Sequence, residues 1–399
     1  MDKAILVLNA GSSSIKFGIF SSADAETVLD LVYRGQIEGI GQQTRFVVED
    51  MHANGVETLV NDDGISLLSH EEALQALLEW LQKQATGLDF IAIGHRVVHG
   101  GDIFSEAVIV DADVLAKLEA LVPLAPLHQP HNLAAIKALN RIAPHIPQVA
   151  CFDTAFHRTM PAVTQRFALP RSLTEAGIHP YGFHGLSYEY IASVLPDLDK
   201  SAAYVRVIVA HLGHGASLCA MVGRRSVATT MTFTPLEGLP MATRCGTLDP
   251  GVLIYLMTEK GMSVGEVADL LHNRSGLLGI SGISGDMREL LASSDPHAAE
   301  AIEYFVYRVA REVGSLAAAA GGMDMLVFTG GIGEHSSIIR ERICHQLTWL
   351  GVHIDSSEND AGNPRINKKD SPVSVWAIPT NEELIIAQHA HAIALQHVI

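Results

Sequence analysis

Ala4-Ile5-Leu6-Val7-Leu8-Asn9-Ala10-Gly11-Ser12-Ser13-Ser14-Ile15-Lys16-Phe17-Gly18-Ile19-Phe20 is the stretch on which the reading of the fold turns. An apolar run, a polar turn with a glycine and three serines, and a second run of β-branched and aromatic residues predict strand, turn, strand. The order returns about 200 residues later: Val205 to Ala210 as a strand, Gly213-His214-Gly215 as a turn, Ser217 to Val222 as a returning strand. The repetition predicts two related domains, each opening with a hairpin whose turn faces a shared cleft.

The flanking sequence supplies helices. Ser69 and Glu72 form a capping-box pattern, followed by Leu74, Leu77, Leu78 and Leu81 on one face. Ile302, Phe305, Val306, Val309, Val313 and Leu316 form a second stripe that ends at Gly321-Gly322. Met325 to Thr329 reads as a strand, Gly330 to Gly333 as a loop, and a helix is expected from about Ser337. Asn381 is placed to cap a last helix from Glu382. Strands alternating with helices of this length predict an α/β architecture.

Composition narrows the function. The 399 residues carry 27 Lys and Arg against 44 Asp and Glu, a net charge of −17, and 48% of them are hydrophobic. That excludes a disordered chain and speaks against nucleic acid or an anionic membrane as partner. A small anionic substrate needs only a few local cations and stays open. The apolar run at the N-terminus is too short for a signal-peptide core, and no stretch approaches the roughly 20 apolar residues of a membrane helix. Cys151, Cys219, Cys245 and Cys344 show no Cys-x-x-Cys spacing, which fits buried thiols in a reducing cytoplasm.

Four glycine-containing loops can present backbone N–H groups to phosphate oxygens: Asn9 to Ser14, His211 to Gly215, Gly276 to Gly285 and Gly330 to Gly333. No Gly-Lys dipeptide occurs, so a Walker P-loop is excluded. Gly94-His95-Arg96-Val97-Val98-His99-Gly100-Gly101 follows the strand Phe90 to Ile93 and puts an arginine fork at a strand end, suited to a carboxylate or phosphate. Met241-Ala242-Thr243-Arg244-Cys245-Gly246 holds a second arginine among small residues. Asp153 lies beside Phe152 and Phe156, where a carboxylate can orient a metal or a nucleophile or simply cap a helix. The pairs His95/His99, His128/His131 and His211/His214 have zinc-like spacings but are expected in loops, without a His-Glu-x-x-His pattern.

In order, these segments closely resemble the acetate kinase family, within the superfamily of acetate and sugar kinases and actin-like ATPases. The resemblance is carried by Leu8-Asn9-Ala10-Gly11-Ser12-Ser13-Ser14-x-Lys16 and Gly94 to Gly101. It continues in Ala125-Pro126-Leu127-His128, Phe152 to His157, Tyr181-Gly182-Phe183-His184-Gly185 and Pro235-Leu236-Glu237-Gly238. Thr243 to Gly246, Gly330 to Glu334 and Pro379-Thr380-Asn381-Glu382-Glu383 complete it. It implies two ribonuclease-H-like domains around a central cleft, residues 1–153 with 386–399 and residues 154–385, and a homodimer. The implied activity is reversible in-line transfer of the γ-phosphoryl group of ATP to acetate, giving acetyl phosphate and ADP, with Mg²⁺, or Mn²⁺ as an alternative.

The resemblance also implies roles. Arg96 and Arg244 would bind the carboxylate and the transferring phosphoryl group, His184 would be a transition-state donor, and Asn9 and Glu382 would place Mg²⁺. Lys16, the loop His211-Leu212-Gly213-His214-Gly215, Asp286-Met287-Arg288 and Gly331-Ile332-Gly333-Glu334-His335 would hold the nucleotide. Val98, Leu127, Phe183 and Pro235 would line an apolar pocket for the methyl group. The family role of Asp153 is acid/base catalysis. A carboxylate substrate has no proton to lose at pH 7, so metal orientation is the role expected here. His214 and His335 stand where the family usually has Asn, Tyr188 where His is frequent, Gln129 where Asn is usual, and Thr247 where Asp is frequent. Propionate or another short-chain fatty acid is the alternative substrate. A non-catalytic nucleotide switch and a zinc hydrolase are the readings from other classes.

Overall fold

The computed structural model of the protein describes residues 2–22, 28–52, 55–59, 67, 69–200 and 205–397. The chain divides into two compact units, Met1–Phe156 with Asn381–Ile399, and His157–Thr380. The boundaries fall three and five residues from those expected at 153/154 and 385/386, so Glu382 belongs to the first unit together with the helix it begins.

The first unit contains β1 (Asp2–Ala10), β2 (Ser14–Ser22), β3 (Asp30–Glu38), β4 (Arg45–Asp50), β5 (Gly55–Leu59), α1 (His70–Gln84), β6 (Leu88–Val97), β7 (Val108–Ile109), α2 (Ala112–Ala120), α3 (Gln129–Ile142) and β8 (Gln148–Phe152). Its sheet runs β5-β4-β3-β2-β1-β6-β8-β7. Strands β1, β2 and β3 pair antiparallel, whereas β1, β6 and β8 pair parallel.

The second unit contains α4 (Arg171–Glu175), α5 (Gly185–Leu198), β9 (Arg206–Leu212), β10 (Ala216–Val222), β11 (Arg225–Thr229), α6 (Pro250–Thr258), α7 (Val264–Asn273), α8 (Gly276–Ser281), α9 (Met287–Ala292), α10 (Pro296–Ala320), β12 (Met325–Thr329), α11 (Gly330–His335), α12 (Ser337–Gln346), α13 (Ser356–Asp360) and β13 (Ser374–Ala377). Its sheet runs β11-β10-β9-β12-β13, with β9 to β11 antiparallel and β9, β12 and β13 parallel. The central five strands of the first sheet repeat this pattern, so the repeat seen in the hairpins extends to the whole sheet.

Periodicity explains the packing. Leu74, Leu77 and Leu81 of α1 are buried against Leu6, Leu8, Ile15 and Phe17 of β1 and β2, each worth about 1.5–3 kcal/mol over exposure. Ser69 caps α1 by accepting from the Glu72 N–H at 3.2 Å. Phe305, Val306, Val309 and Val313 bury the inner face of α10, which packs on β10 and ends at Gly321 with φ 72°. Helix α14 (Glu382–His397) returns to the first unit and packs on β6 and β1. Gly94 on β6 permits the approach: a Cβ there would lie 2.6 Å from Ile386 Cγ2. Asn381 caps α14, its Oδ1 accepting from the Leu384 N–H at 3.1 Å.

Two glycine segments differ from the expected loops. Gly330 to His335 winds into the short helix α11, and Gly276 to Ser281 into α8. In each case the first glycine takes positive φ, 74° at Gly330 and 62° at Gly276, which redirects the chain so that the following residues can close a helical turn.

Candidate active site

In each unit the parallel strands end at one edge of the sheet, where ligands of open α/β sheets gather. The first unit brings Asn9 to this edge from β1, Arg96 and then Val98 from β6, and Asp153 just after β8. Lys16 stands on β2 directly opposite Asn9, and Glu382 enters from the first turn of α14.

Arg96 organises this group of residues. Its Nε donates to Asp153 Oδ1 at 3.0 Å and its Nη2 to Oδ2 at 2.5 Å, while Nη1 reaches Asn9 Oδ1 at 3.4 Å. Glu382 lies 3.9 Å from Nε. Burial opposes the arginine charge, but Asp153 and Glu382 outweigh it and the pKa is raised. Burial pushes the Glu382 carboxyl up, against the pull of Arg96, with Glu383 adding to the rise and Lys16 opposing it. The fork expected to grip substrate is therefore already occupied by Asp153.

Val98 is 2% exposed, and its N–H is held by Asn132 Oδ1 at 3.1 Å, while Asn132 Nδ2 donates to the Ala10 carbonyl at 2.8 Å. Gln129 is fully buried and clamps the next peptide, accepting from the His99 N–H and donating to its carbonyl. Leu127, by contrast, is exposed. Of the residues expected to line one apolar pocket, Val98 and Leu127 belong to the first unit and Phe183 and Pro235 to the second.

In the second unit the turn between β9 and β10 carries Gly213, His214 and Gly215. The His214 carbonyl accepts from the Ala242 N–H, which ties this turn to the Arg244 loop. That loop rests on α8: Leu277 and Ser275 donate to the carbonyls of Met241 and Thr243. Arg244 Nη1 donates to the Pro235 carbonyl at 3.0 Å. A Cβ on Gly215 would meet His184 Nε2 at 3.3 Å and Arg244 Nη1 at 3.9 Å, so the two expected phosphoryl contacts converge above one glycine.

The loop after β12 closes the other side. Gly330 abuts the end of β9, and Gly331 has open space above it. Glu334 turns inward rather than towards a ligand, its Oε1 accepting from the Gly330 and Thr380 N–H groups. His335 is 81% exposed. Asp286 accepts from the N–H and guanidinium of Arg288, which hold its carboxyl down at about 2. Met287 is buried and Arg288 points into solvent. Burial, with Arg244 nearby, pushes the His214 pKa down against Asp286.

The histidine pairs with zinc-like spacing go elsewhere. His95 lies on β6 rather than in a loop, with Nε2 2.7 Å from Gln148 Oε1. His131 falls in the first turn of α3 and stacks on His70 at 6.0 Å. Among the described residues no three His, Cys, Asp or Glu side chains gather as a metal cluster.

Burial pushes the pKa of His95 down to about 4, and that of His157, held between Ser226 Oγ and the Phe183 carbonyl, likewise. Both are neutral when folded and take up protons near pH 6.5 when unfolded. Their contribution is complete above about 6.5 and is lost as pH falls towards 4. We predict that the unfolding free energy from urea titration falls between pH 7 and pH 5 by about 2 kcal/mol per histidine, lowering the midpoint at constant m. An unchanged midpoint would contradict this.

Residues to which motif reading gave no role are Asn132, Gln148, Ser187, Ser217 and Thr380. Two had a signal: a turn at Gly213 to Gly215 puts Ser217 opposite His211, and a helix from Gly185 puts Ser187 one turn after His184.

The Acetokinase family profile matches residues 4–388. The chain is 54% identical over 397 residues to the acetate kinase of Rhodopseudomonas palustris, covering 99% of each. Among solved structures it superposes on a propionate kinase from Francisella tularensis with a TM-score of 0.89 at 40% identity, covering 98% of this chain and 99% of that one. On the acetate kinase of Porphyromonas gingivalis it superposes with a TM-score of 0.87 at 36% identity, covering 98% and 99%. These matches run the length of the chain: the chain belongs to the acetokinase family, with its α/β fold of two actin-like ATPase units.

Proposed function

We propose that the protein is an acetate kinase that transfers the γ-phosphoryl group of ATP reversibly and in line to acetate. The observation that carries the reading is the convergence of His184 Nε2 and Arg244 Nη1 above Gly215, next to the Gly213 and Gly331 backbone. Phosphoryl transfer asks a protein mainly to align two oxygens and to neutralise charge on the equatorial ones. Arg244 and His184 supply donors to those oxygens, Arg96 a cation for the carboxylate, and Lys16 and the glycine backbone a cradle for the nucleotide phosphates. Asp153, both oxygens bound to Arg96, serves to aim that guanidinium; this geometry supports positioning rather than acid/base work or metal orientation.

Mg²⁺ fits Asn9 and Glu382. Both offer hard oxygen donors, and Glu382 is a half-buried carboxylate with a raised pKa, whose charge a cation would favour. One carboxylate suffices, because Mg²⁺ is commonly held by one or two together with substrate phosphates. Bound there, the ion would supply charge neutralisation to the phosphates.

Val98 supports acetate over longer acids, and the propionate kinase likeness keeps propionate as the alternative, since one methylene discriminates by only about 1–3 kcal/mol. We predict that with Mg-ATP and hydroxylamine the protein forms acetohydroxamate, with kcat/KM higher for acetate than for propionate and lower again for butyrate. Folded protein that forms no hydroxamate from any of the three, with any of several phosphate donors, contradicts the reading.

The reading includes a homodimer. Helix α6 buries no residue, and Leu248, Val252, Ile254, Tyr255 and Met257 leave apolar surface suited to a second copy. No described helix is long and apolar enough to cross a membrane. The four free cysteines support a reducing, cytoplasmic compartment.

A further inference from the structure

Behind His184 the second unit holds a paired arrangement that the phosphoryl-transfer chemistry does not require. His184, at the N-terminal end of α5, adopts φ 57°, a conformation shared among described non-glycine residues only with Arg224. Ser187 and Tyr188 follow one helical turn later on the same face of α5. Facing them, Ser217 of β10 stands directly opposite His211 of β9. The partners cross over. The helix histidine bonds the strand serine, with His184 Nδ1 at 2.8 Å from Ser217 Oγ. The strand histidine bonds the helix serine, with His211 Nδ1 at 2.8 Å from Ser187 Oγ. The two imidazoles stack at 4.3 Å and 23°.

Each serine is backed by a second hydroxyl. Tyr188 Oη lies 2.5 Å from Ser217 Oγ, and Thr380 Oγ1 lies 2.9 Å from Ser187 Oγ. Tyr188 and Ser217 are both fully buried. A serine hydroxyl has one hydrogen to give, and here it stands between a phenol and an imidazole nitrogen. The phenol is the more acidic hydroxyl and so the better donor. Tyr188 then donates to Ser217 Oγ, and Ser217 donates to His184 Nδ1. A neutral imidazole that accepts at Nδ1 carries its proton on Nε2. That is the nitrogen lying towards Gly215 and the Arg244 guanidinium.

The geometry points to Ser217 and Tyr188 as positioning residues that fix His184 in its Nε2–H tautomer and hold the ring square to the transferring phosphoryl group. The inference rests on the kinase reading for its purpose but not for its geometry. A neutral donor made this way serves both directions of transfer, because it gives a hydrogen bond without giving up the proton. The stack on His211, itself oriented through Ser187 and Thr380, prevents the ring from turning over.

The experiment uses protein labelled with ¹⁵N-histidine, with the His184 signals assigned from a His184→Gln sample, and compares wild type, Ser217→Ala, Ser217→Thr and Tyr188→Phe. Wild type is expected to show His184 as the Nε2–H tautomer, and Ser217→Ala a mixture of both. Tyr188→Phe, which keeps the ring and so the packing, should give a smaller shift in the same direction, and Ser217→Thr should restore the wild-type signals. Turnover should fall about 10- to 100-fold in Ser217→Ala, with KM for the acid changed less than threefold, and recover in Ser217→Thr. A wild-type Nδ1–H tautomer, a tautomer unchanged in both Ser217→Ala and Tyr188→Phe, or a tautomer change without loss of kcat overturns the inference. The nitrogen spectra need no turnover, so an inactive wild type would defeat the kinase reading and leave the tautomer result to decide this one.

Discussion

Arg96→Ala lowers kcat/KM for the acid by about 10²–10³-fold, the loss typical of removing one preorganised charge or donor from a transition state. The same change takes the guanidinium away from Asp153, which is 2% exposed and accepts from it with both carboxylate oxygens. Removing the guanidinium from a buried carboxylate costs about 2–4 kcal/mol, the lower end following from the partial exposure of Arg96 itself. The two consequences separate in the double variant. Arg96→Ala with Asp153→Ala removes the buried charge as well, so stability returns towards wild type while activity stays lost. Arg96→Lys keeps a cation but not the planar fork, and is expected to remain well below wild type. Steady-state hydroxamate formation and urea unfolding on the four proteins measure both effects. Near-wild-type turnover in Arg96→Ala would remove this residue from the site, and a double variant as unstable as the single one would show that Asp153 is held by something other than Arg96.

Gly276→Ala has the second large effect, and it acts through the backbone. Gly276 has φ 62°, and a Cβ there would lie 2.1 Å from the Met241 carbonyl oxygen and 2.7 Å from that of Arg244. Both obstacles are backbone, so no side chain can swing away. Positive φ at a residue with a Cβ, together with a forced backbone shift, costs about 2–5 kcal/mol. At about 2–4 °C per kcal/mol for a domain of this size, the melting temperature falls by about 5–15 °C. The loop that must move carries Arg244, so kcat falls as well, even at temperatures where the protein is folded. Gly282→Ala is the control. Gly282 also has positive φ, but a Cβ there would meet nothing within 4 Å, so it shows the conformational penalty without the collision. Equal losses in the two variants would show that the collision is relieved without moving Arg244.

Much of this site was legible in the residue order because its chemistry is carried by local motifs. Asn9, Arg96 and Asp153 lie at or just beyond strand ends, and strand ends can be read from apolar runs stopped by glycine or polar residues. The hairpin turns at Gly11 and Gly213 announced the repeat for the same reason: alternation and turn composition are properties of adjacent residues. Glu334 and His335 show the limit. A glycine-rich segment ending in an acid and a histidine reads as a ligand wall, yet Glu334 is drawn inward by the Gly330 and Thr380 N–H groups, and Thr380 lies 46 residues away in sequence.

The order of residues alone determined that the chain is α/β, that it repeats, where its two arginines sit and which family it belongs to, because each of these rests on periodicity or on contiguous motifs. Folding decided how those residues are used. The Arg96 fork is given to Asp153 rather than left for substrate, and Gln129 and Asn132 hold the backbone of Val98 and His99. His184 Nδ1 is held by Ser217, which Tyr188 backs in turn. These are hydrogen bonds that side chains make to one another or to the backbone of distant segments, and their directions exist only once sheet register and helix packing have placed the donors and acceptors within about 3 Å of one another.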